Sequence, residues 1–196
     1  TPQGSVNAGT SPRAIGIGKN GQSLYVTNYN TGGITHFTRD TSTGALTYSM
    51  SYVTGWRTPI AMAMDPDGAH YYSIHYTDHK IKSFDLAASD GAPSGNGSQL
   101  DTGFAPTAVV MDPTGQFLYT SNSFGDSVSA FKADAKGILS KIGSDAPTVK
   151  GPLDVALDPT GKFLYAVSSV SGAVTVLSVD SATGAPSPAL VSQGKI

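Results

Sequence analysis

The sequence predicts an all-β fold, a β-propeller of four-stranded antiparallel blades, with four repeats of 46–47 residues and one extra outer strand. Three observations predict it. Tyr25, Tyr72, Tyr119 and Tyr165 recur at intervals of 47, 47 and 46 residues. Pro12, Pro59, Pro106 and Pro152 keep that spacing, as do Gly21, Gly68, Gly115 and Gly161. A period of about 40–50 residues belongs to propeller blades or helical arrays. No window carries the i, i+3, i+4 apolar spacing of an amphipathic helix, so the strand reading is taken.

Within each repeat the elements follow in a fixed order. A short apolar run opens it, as in Ala61-Met62-Ala63-Met64 and Ala108-Val109-Val110-Met111. Small apolar residues suit the crowded innermost strand. A turn of the form Asp-Pro-x-Gly follows, as in Asp112-Pro113-Thr114-Gly115. Pro presets φ, Asp can accept backbone N–H groups, and Gly adopts positive φ. The second strand (Phe117-Leu118-Tyr119-Thr120-Ser121) and the third (Val128-Ser129-Ala130-Phe131) are β-branched and aromatic with period two. A Gly turn at Gly44, Gly91, Gly137 or Gly184 leads to a weaker, more polar fourth strand. Four such strands make one blade.

This register divides the chain into residues 1–10, an outer strand of a neighbouring blade, and blades at 11–57, 58–104, 105–150 and 151–196. Segments 4–9 and 189–194 both read as fourth strands, one more than a closed four-blade ring accommodates. The expected partners are therefore other copies of the chain or the rest of a longer propeller, joined through exposed strand edges.

Composition excludes several functions. Only 13% of residues are charged and the net charge is −2, with no basic stripe, so nucleic acid is not an expected partner. No apolar run is long enough for a membrane span. Without Cys there is no disulfide, thiolate metal site or C-x-x-C-H haem attachment. No cofactor is expected. The chain lacks a G-x-S-x-G elbow, a phosphate-binding loop and an H-E-x-x-H motif. Low charge and a first residue other than Met lead to the expectation of an extracellular or periplasmic protein. Asn96-Gly97-Ser98 matches a glycosylation acceptor.

The segments Ser11-Pro12-Arg13-Ala14-Ile15, Leu24-Tyr25-Val26-Thr27-Asn28 and Thr41-Ser42-Thr43-Gly44-Ala45-Leu46 resemble the YVTN-type repeats of the lactonase branch, similar to 6-phosphogluconolactonase. The resemblance implies a propeller fold, typically of seven blades, and lactone hydrolysis. In that family a His often follows the Pro-Arg of one repeat. The corresponding positions here hold Ala14, Ala61, Ala108 and Asp154.

Candidate site residues fall into three sets. Arg13, His75 and Asp154 form the catalytic set, with Asp154 as general base because the other repeats hold Ala there. Asn28, Arg57, Asn122 and Ser168 form the ligand-binding set. Asn28, His75, Asn122 and Ser168 end equivalent second strands, where a polar side chain either lines a ligand face or holds a turn. Arg13 and Arg57 could clamp an anion at the entrances of two inner strands. His75, Asp78 and His79 form the metal set, across one hairpin turn. Asp65, Asp67, Asp112 and Asp158 read as turn formers, since Asp-Pro-x-Gly supplies too few oxygens for calcium. The resulting expectation is a non-catalytic propeller scaffold for binding or self-assembly. The alternative is a lactone hydrolase present as a fragment or half-ring, and a third reading places the repeats in a larger redox or surface assembly.

Overall fold

The computed structural model describes residues 4–94 and 97–189. Among these residues there are eighteen strands and no helix. They form four antiparallel sheets in chain order. The first is β1 (Pro12–Ile17), β2 (Ser23–Asn28), β3 (Gly33–Arg39) and β4 (Leu46–Val53). The second is β5 (Pro59–Met64), β6 (His70–His75), β7 (Lys80–Leu86) and a split outer strand, β8 (Pro93–Ser94) with β9 (Gln99–Asp101). The third is β10 (Pro106–Met111), β11 (Phe117–Asn122), β12 (Ser127–Ala133) and again a split strand, β13 (Leu139–Lys141) with β14 (Ala146–Pro147). The fourth is β15 (Pro152–Leu157), β16 (Phe163–Ser168), β17 (Ala173–Val179) and β18 (Pro186–Pro188).

The first strands of consecutive sheets pack on one another, β1 on β5, β5 on β10 and β10 on β15. That places them innermost and makes the sheets successive blades of an arc. Most of the core lies between blades. Tyr25 and Ile34 of the first blade meet Tyr71, Phe84 and Leu86 of the second. Tyr72, Ile74 and Ile81 of the second meet Leu118 and Phe131 of the third. Tyr119 and Val128 of the third meet Leu164, Ala166 and Leu177 of the fourth. Full burial of one such side chain is worth about 1.5–3 kcal/mol.

The turns explain themselves locally. Asp112 Oδ1 accepts the N–H groups of Gln116 (2.8 Å) and Phe117 (2.7 Å), and Oδ2 accepts that of Thr114 (3.0 Å). Gly115 closes this turn at φ +75°. Asp158 repeats the pattern. The Thr160 hydroxyl and these backbone donors hold its carboxylate down to about pKa 2.

Two expectations are corrected. The inner strands are not the most buried. β2 and β11 are buried along their whole length, whereas β1 is mostly exposed and β5 and β10 are half-buried. The inner strands of an open arc look towards an axis with no blades opposite, while second strands are sandwiched between blades. Residues 4–9 form no strand among the described residues. They run instead as a connector over the first blade, where Ala8 packs against Leu24, Val26 and Phe37. Asn96, and the segment 189–194 beyond Ala189, lie outside the described residues.

Candidate functional site

Each connector crosses from one blade to the inner strand of the next, and a polar side chain at the middle of the third strand holds it. Thr35 Oγ1 donates to the Ala8 carbonyl (2.9 Å), and Lys82 Nζ donates to the Thr54 carbonyl (2.8 Å). Ser129 Oγ accepts from Gly103 N–H (2.9 Å), and Thr175 Oγ1 accepts from Val149 N–H (3.0 Å). Register alone brings these four positions together with four successive connectors. Burial pushes the Lys82 ammonium below its usual pKa.

The residues ending the second strands serve the same connectors. Asn28, His75, Asn122 and Ser168 are all buried. Asn28 Nδ2 donates to Thr35 Oγ1 (2.9 Å), and Asn122 Nδ2 donates to Ser129 Oγ (3.0 Å) and Ser127 Oγ (3.1 Å). His75 Nδ1 bonds the Arg57 carbonyl (3.0 Å), and Ser168 Oγ donates to the Lys150 carbonyl. Their polar groups bond third-strand hydroxyls of the same blade or carbonyls of the connectors. Arg57 is exposed.

The catalytic set is distributed over three sheets. Arg13 in β1 is exposed, with its guanidinium 5.0 Å from the Tyr29 ring centre. His75 in β6 is fully buried, with Nε2 2.9 Å from Ser73 Oγ. Burial drives its pKa down, against the opposing pull of the Arg57 carbonyl. Asp154 in β15 is exposed, and its Oδ1 accepts the N–H of Val155 (2.8 Å). No hydrogen bond or ion pair links any two of the three among the described residues. In the metal set, both His75 nitrogens are engaged, and His79 Nδ1 accepts the N–H of Ala105 (3.0 Å). A cation there would have to displace these bonds. Among the described residues no three His or carboxylate groups gather as a ligand set.

At the opposite end of the blades the second-strand Tyr reaches across the first and third junctions. Tyr25 Oη donates to the Gly91 carbonyl (2.6 Å) and Tyr119 Oη to the Gly184 carbonyl (3.0 Å). A Cβ on Gly91, Gly137 or Gly184 would collide with Ser23, His70 or Phe117 of the preceding blade. A cavity of about 550 Å³ opens beside the first of these junctions, lined by Lys19, Tyr25, Asp67 and Gly91.

The two ends of the arc carry the same parts without partners. Tyr165 is 39% exposed, while Tyr25, Tyr72 and Tyr119 are 1%, 1% and 0% exposed. Phe163, Val167 and Val174 share its open face. At the other end, Gly44 has nothing within 4 Å of where a Cβ would lie. Beside Phe37 and Tyr48 of the first blade lies an open groove of about 460 Å³.

The sequence matches the Lactonase family, a 7-bladed beta-propeller, over residues 1–55, 23–113 and 62–192. The chain belongs to this family. The similar solved structures agree with the lactonase fold. A protein from Lactobacillus plantarum superposes with a TM-score of 0.84 at 18% identity, over 95% of this chain and 59% of its own. The periplasmic gluconolactonase of Pseudomonas aeruginosa superposes with a TM-score of 0.80 at 19% identity, over 95% of this chain and 58% of its own. A Bacteroides uniformis protein provisionally assigned as a 6-phosphogluconolactonase gives 0.80 at 21% identity, over 89% and 52%. This lactonase-family chain thus spans between half and three fifths of the length of those structures. No curated protein matches it.

One cluster escaped the sequence reading. Tyr76, His79, Phe104 and Phe124 gather on the connector side of the junction between the second and third blades. The available signal was a break in the repeat. Phe104 stands where other repeats have Thr10, Arg57 and Lys150, and Phe124 where they have Asn30, Thr77 and Val170.

Proposed function

We propose that the protein works as a four-blade arc of a larger propeller ring, completed by further blades on its two open faces. The observation that carries this reading is the complementarity of the ends. The fourth blade offers Phe163 and Tyr165, the equivalents of side chains that pack on a glycine turn at interior junctions. The first blade offers Gly44, the equivalent of those glycines, with its approach open. A second copy placed head to tail supplies both partners, as does the remainder of a longer chain. The likeness to the periplasmic gluconolactonase of Pseudomonas aeruginosa is compatible with a location outside the cytoplasm, which cell fractionation tests.

Sedimentation of the purified chain over a range of concentrations tests the assembly. The expected result is a species of two or more copies that Phe163→Asp with Tyr165→Asp disperses. A monomer at every concentration, with stability unchanged by the double substitution, contradicts self-completion of the ring.

A second reading is favoured by the family match together with Arg13 and Arg57. Both are exposed cations at the entrances of neighbouring inner strands. In this reading the completed ring hydrolyses a sugar lactone, and the two guanidinium groups hold an anionic substituent of it. Hydrolysis lost in Arg13→Ala and Arg57→Ala supports this role. Hydrolysis unchanged in both removes the proposed clamp.

A further inference from the structure

The three blade junctions within the chain are built alike but filled differently. Ser23, His70 and Phe117 hold equivalent positions, two residues before Tyr25, Tyr72 and Tyr119. At the third junction the Phe117 ring lies against Gly184, and at the second the His70 ring lies against Gly137. At the first junction Gly91 meets only the short side chain of Ser23 and the Tyr25 hydroxyl. The turn before the second strand changes in step. His70 Nδ1 donates to Asp65 Oδ2 (2.7 Å), which holds that ring in place. The first repeat has Gly18 where the second has Asp65, so both members of the plug are missing.

The cavities show the space this leaves. The groove at the second junction is lined by His70, and neither Tyr72 nor Gly137 is among its lining residues. Its counterpart at the first junction is lined by Ser23 and also by Tyr25 and Gly91. The first groove is about 550 Å³ and the second about 400 Å³, so the first is larger by about 150 Å³. An apolar cavity of about 150 Å³ admits benzene. Leu86 and Ala87 line the apolar wall. Both blades that form the groove belong to this chain, so the site does not depend on ring closure.

The polar groups select what the ring must carry. Ser23 Oγ donates to the Asp90 carbonyl (3.1 Å), and Tyr25 Oη donates to the Gly91 carbonyl (2.6 Å). A hydroxyl has a single hydrogen, so each oxygen has committed its donor and offers lone pairs only. Lys19 and Asp67, the charged side chains of the lining, are exposed and pair with each other (3.6 Å). They leave no net charge to attract an ion. The complement is an uncharged aromatic ring that bears one hydrogen-bond donor.

We propose that the groove between the first and second blades binds a small free phenol, its ring in the place that His70 and Phe117 fill at the other junctions and its hydroxyl donating to Ser23 Oγ. The full chain is titrated by NMR with phenol, with anisole, which keeps the ring but lacks the donor, and with cyclohexanol, which keeps the hydroxyl but lacks the planar ring. The expected result is saturable binding of phenol, with a dissociation constant on the order of 1 mM or below. Its ring protons should show NOEs to the Leu86 and Ala87 methyl groups. Anisole and cyclohexanol should each bind about fivefold more weakly. Ser23→Phe rebuilds the filling of the third junction, and should abolish phenol binding while the melting temperature holds or rises. Ser23→Ala keeps the space and should bring phenol and anisole to near parity. Should Ser23→Phe fail to fold, the NOEs of the parent and the Ser23→Ala comparison decide. Equal binding of cyclohexanol and phenol, phenol binding retained in folded Ser23→Phe, or no NOE to Leu86 and Ala87 in the parent overturns the proposal. Tighter binding of N-acetyl-tyrosine amide than of phenol overturns the assignment to a free ligand.

Discussion

Tyr119 and Tyr165 hold the same place in successive blades, yet one is sealed and the other open. Tyr119 is fully buried and bonds the Gly184 carbonyl of the next blade, while Tyr165 is 39% exposed. Burial and loss of the competing solvent raise the Tyr119 pKa, with Asp112 adding to the effect. The glycines show the reverse contrast. Gly184 sits against the Phe117 ring, whereas Gly44 has open space before it. The difference between interior and end is therefore not in the blade but in what faces it. A propeller blade buries little on its own, and its stability is held mainly at its junctions.

The largest expected effect separates these positions. Tyr119→Ala should cost about 3–5 kcal/mol in urea unfolding, because it empties a packed junction and orphans a carbonyl. In the separated arc Tyr165→Ala should fall within about 1 kcal/mol of the parent. Equal losses would mean that Tyr165 is already covered. Gly184→Ala is expected to cost about 2–4 kcal/mol, from positive φ plus collision with Phe117, against about 1 kcal/mol for Gly44→Ala from backbone strain alone. If Gly44→Ala also blocks association of copies, the end-to-end docking is sharpened.

Acid offers an intermediate probe. His36 is fully buried at the first junction, stacked 5.0 Å from Tyr25, and neither ring nitrogen has a partner. Burial lowers its pKa, as it does for His75. A histidine whose folded pKa lies below the unfolded value of about 6.5 stabilises the fold above that pH and loses this contribution as pH falls. The melting temperature should therefore decline between neutrality and pH 5, and His36→Phe should flatten that decline. The turn carboxylates Asp40, Asp134, Asp158 and Asp180, held low mainly by backbone and hydroxyl donors, act in a separate window below about pH 4. The smallest effect is at the connectors, where Thr175→Val should cost about 1 kcal/mol by untethering Val149.

Much of the fold was legible because repetition is visible in sequence. The Tyr, Pro and Gly markers locate strands and turns, and the Asp-Pro-x-Gly turns hold as their chemistry requires. The site was less legible. Asn28, Asn122 and Ser168 read as ligand contacts or turn holders, since their partners, third-strand hydroxyls for the two Asn and a connector carbonyl for Ser168, are set by strand pairing and not by the local sequence. Burial was misjudged at β1 and β5 because composition reports a strand's own residues, not whether another blade stands opposite. The split fourth strands of the second and third blades carry no periodic signal over two or three residues.

The open ends are tested most directly by hydroxyl-radical footprinting of the assembled protein, read by mass spectrometry at the four equivalent tyrosines. The account predicts that Tyr165 is protected as strongly as Tyr25, Tyr72 and Tyr119, whichever molecule supplies the covering blade. Labelling of Tyr165 at the rate of an exposed tyrosine in the working protein would contradict it.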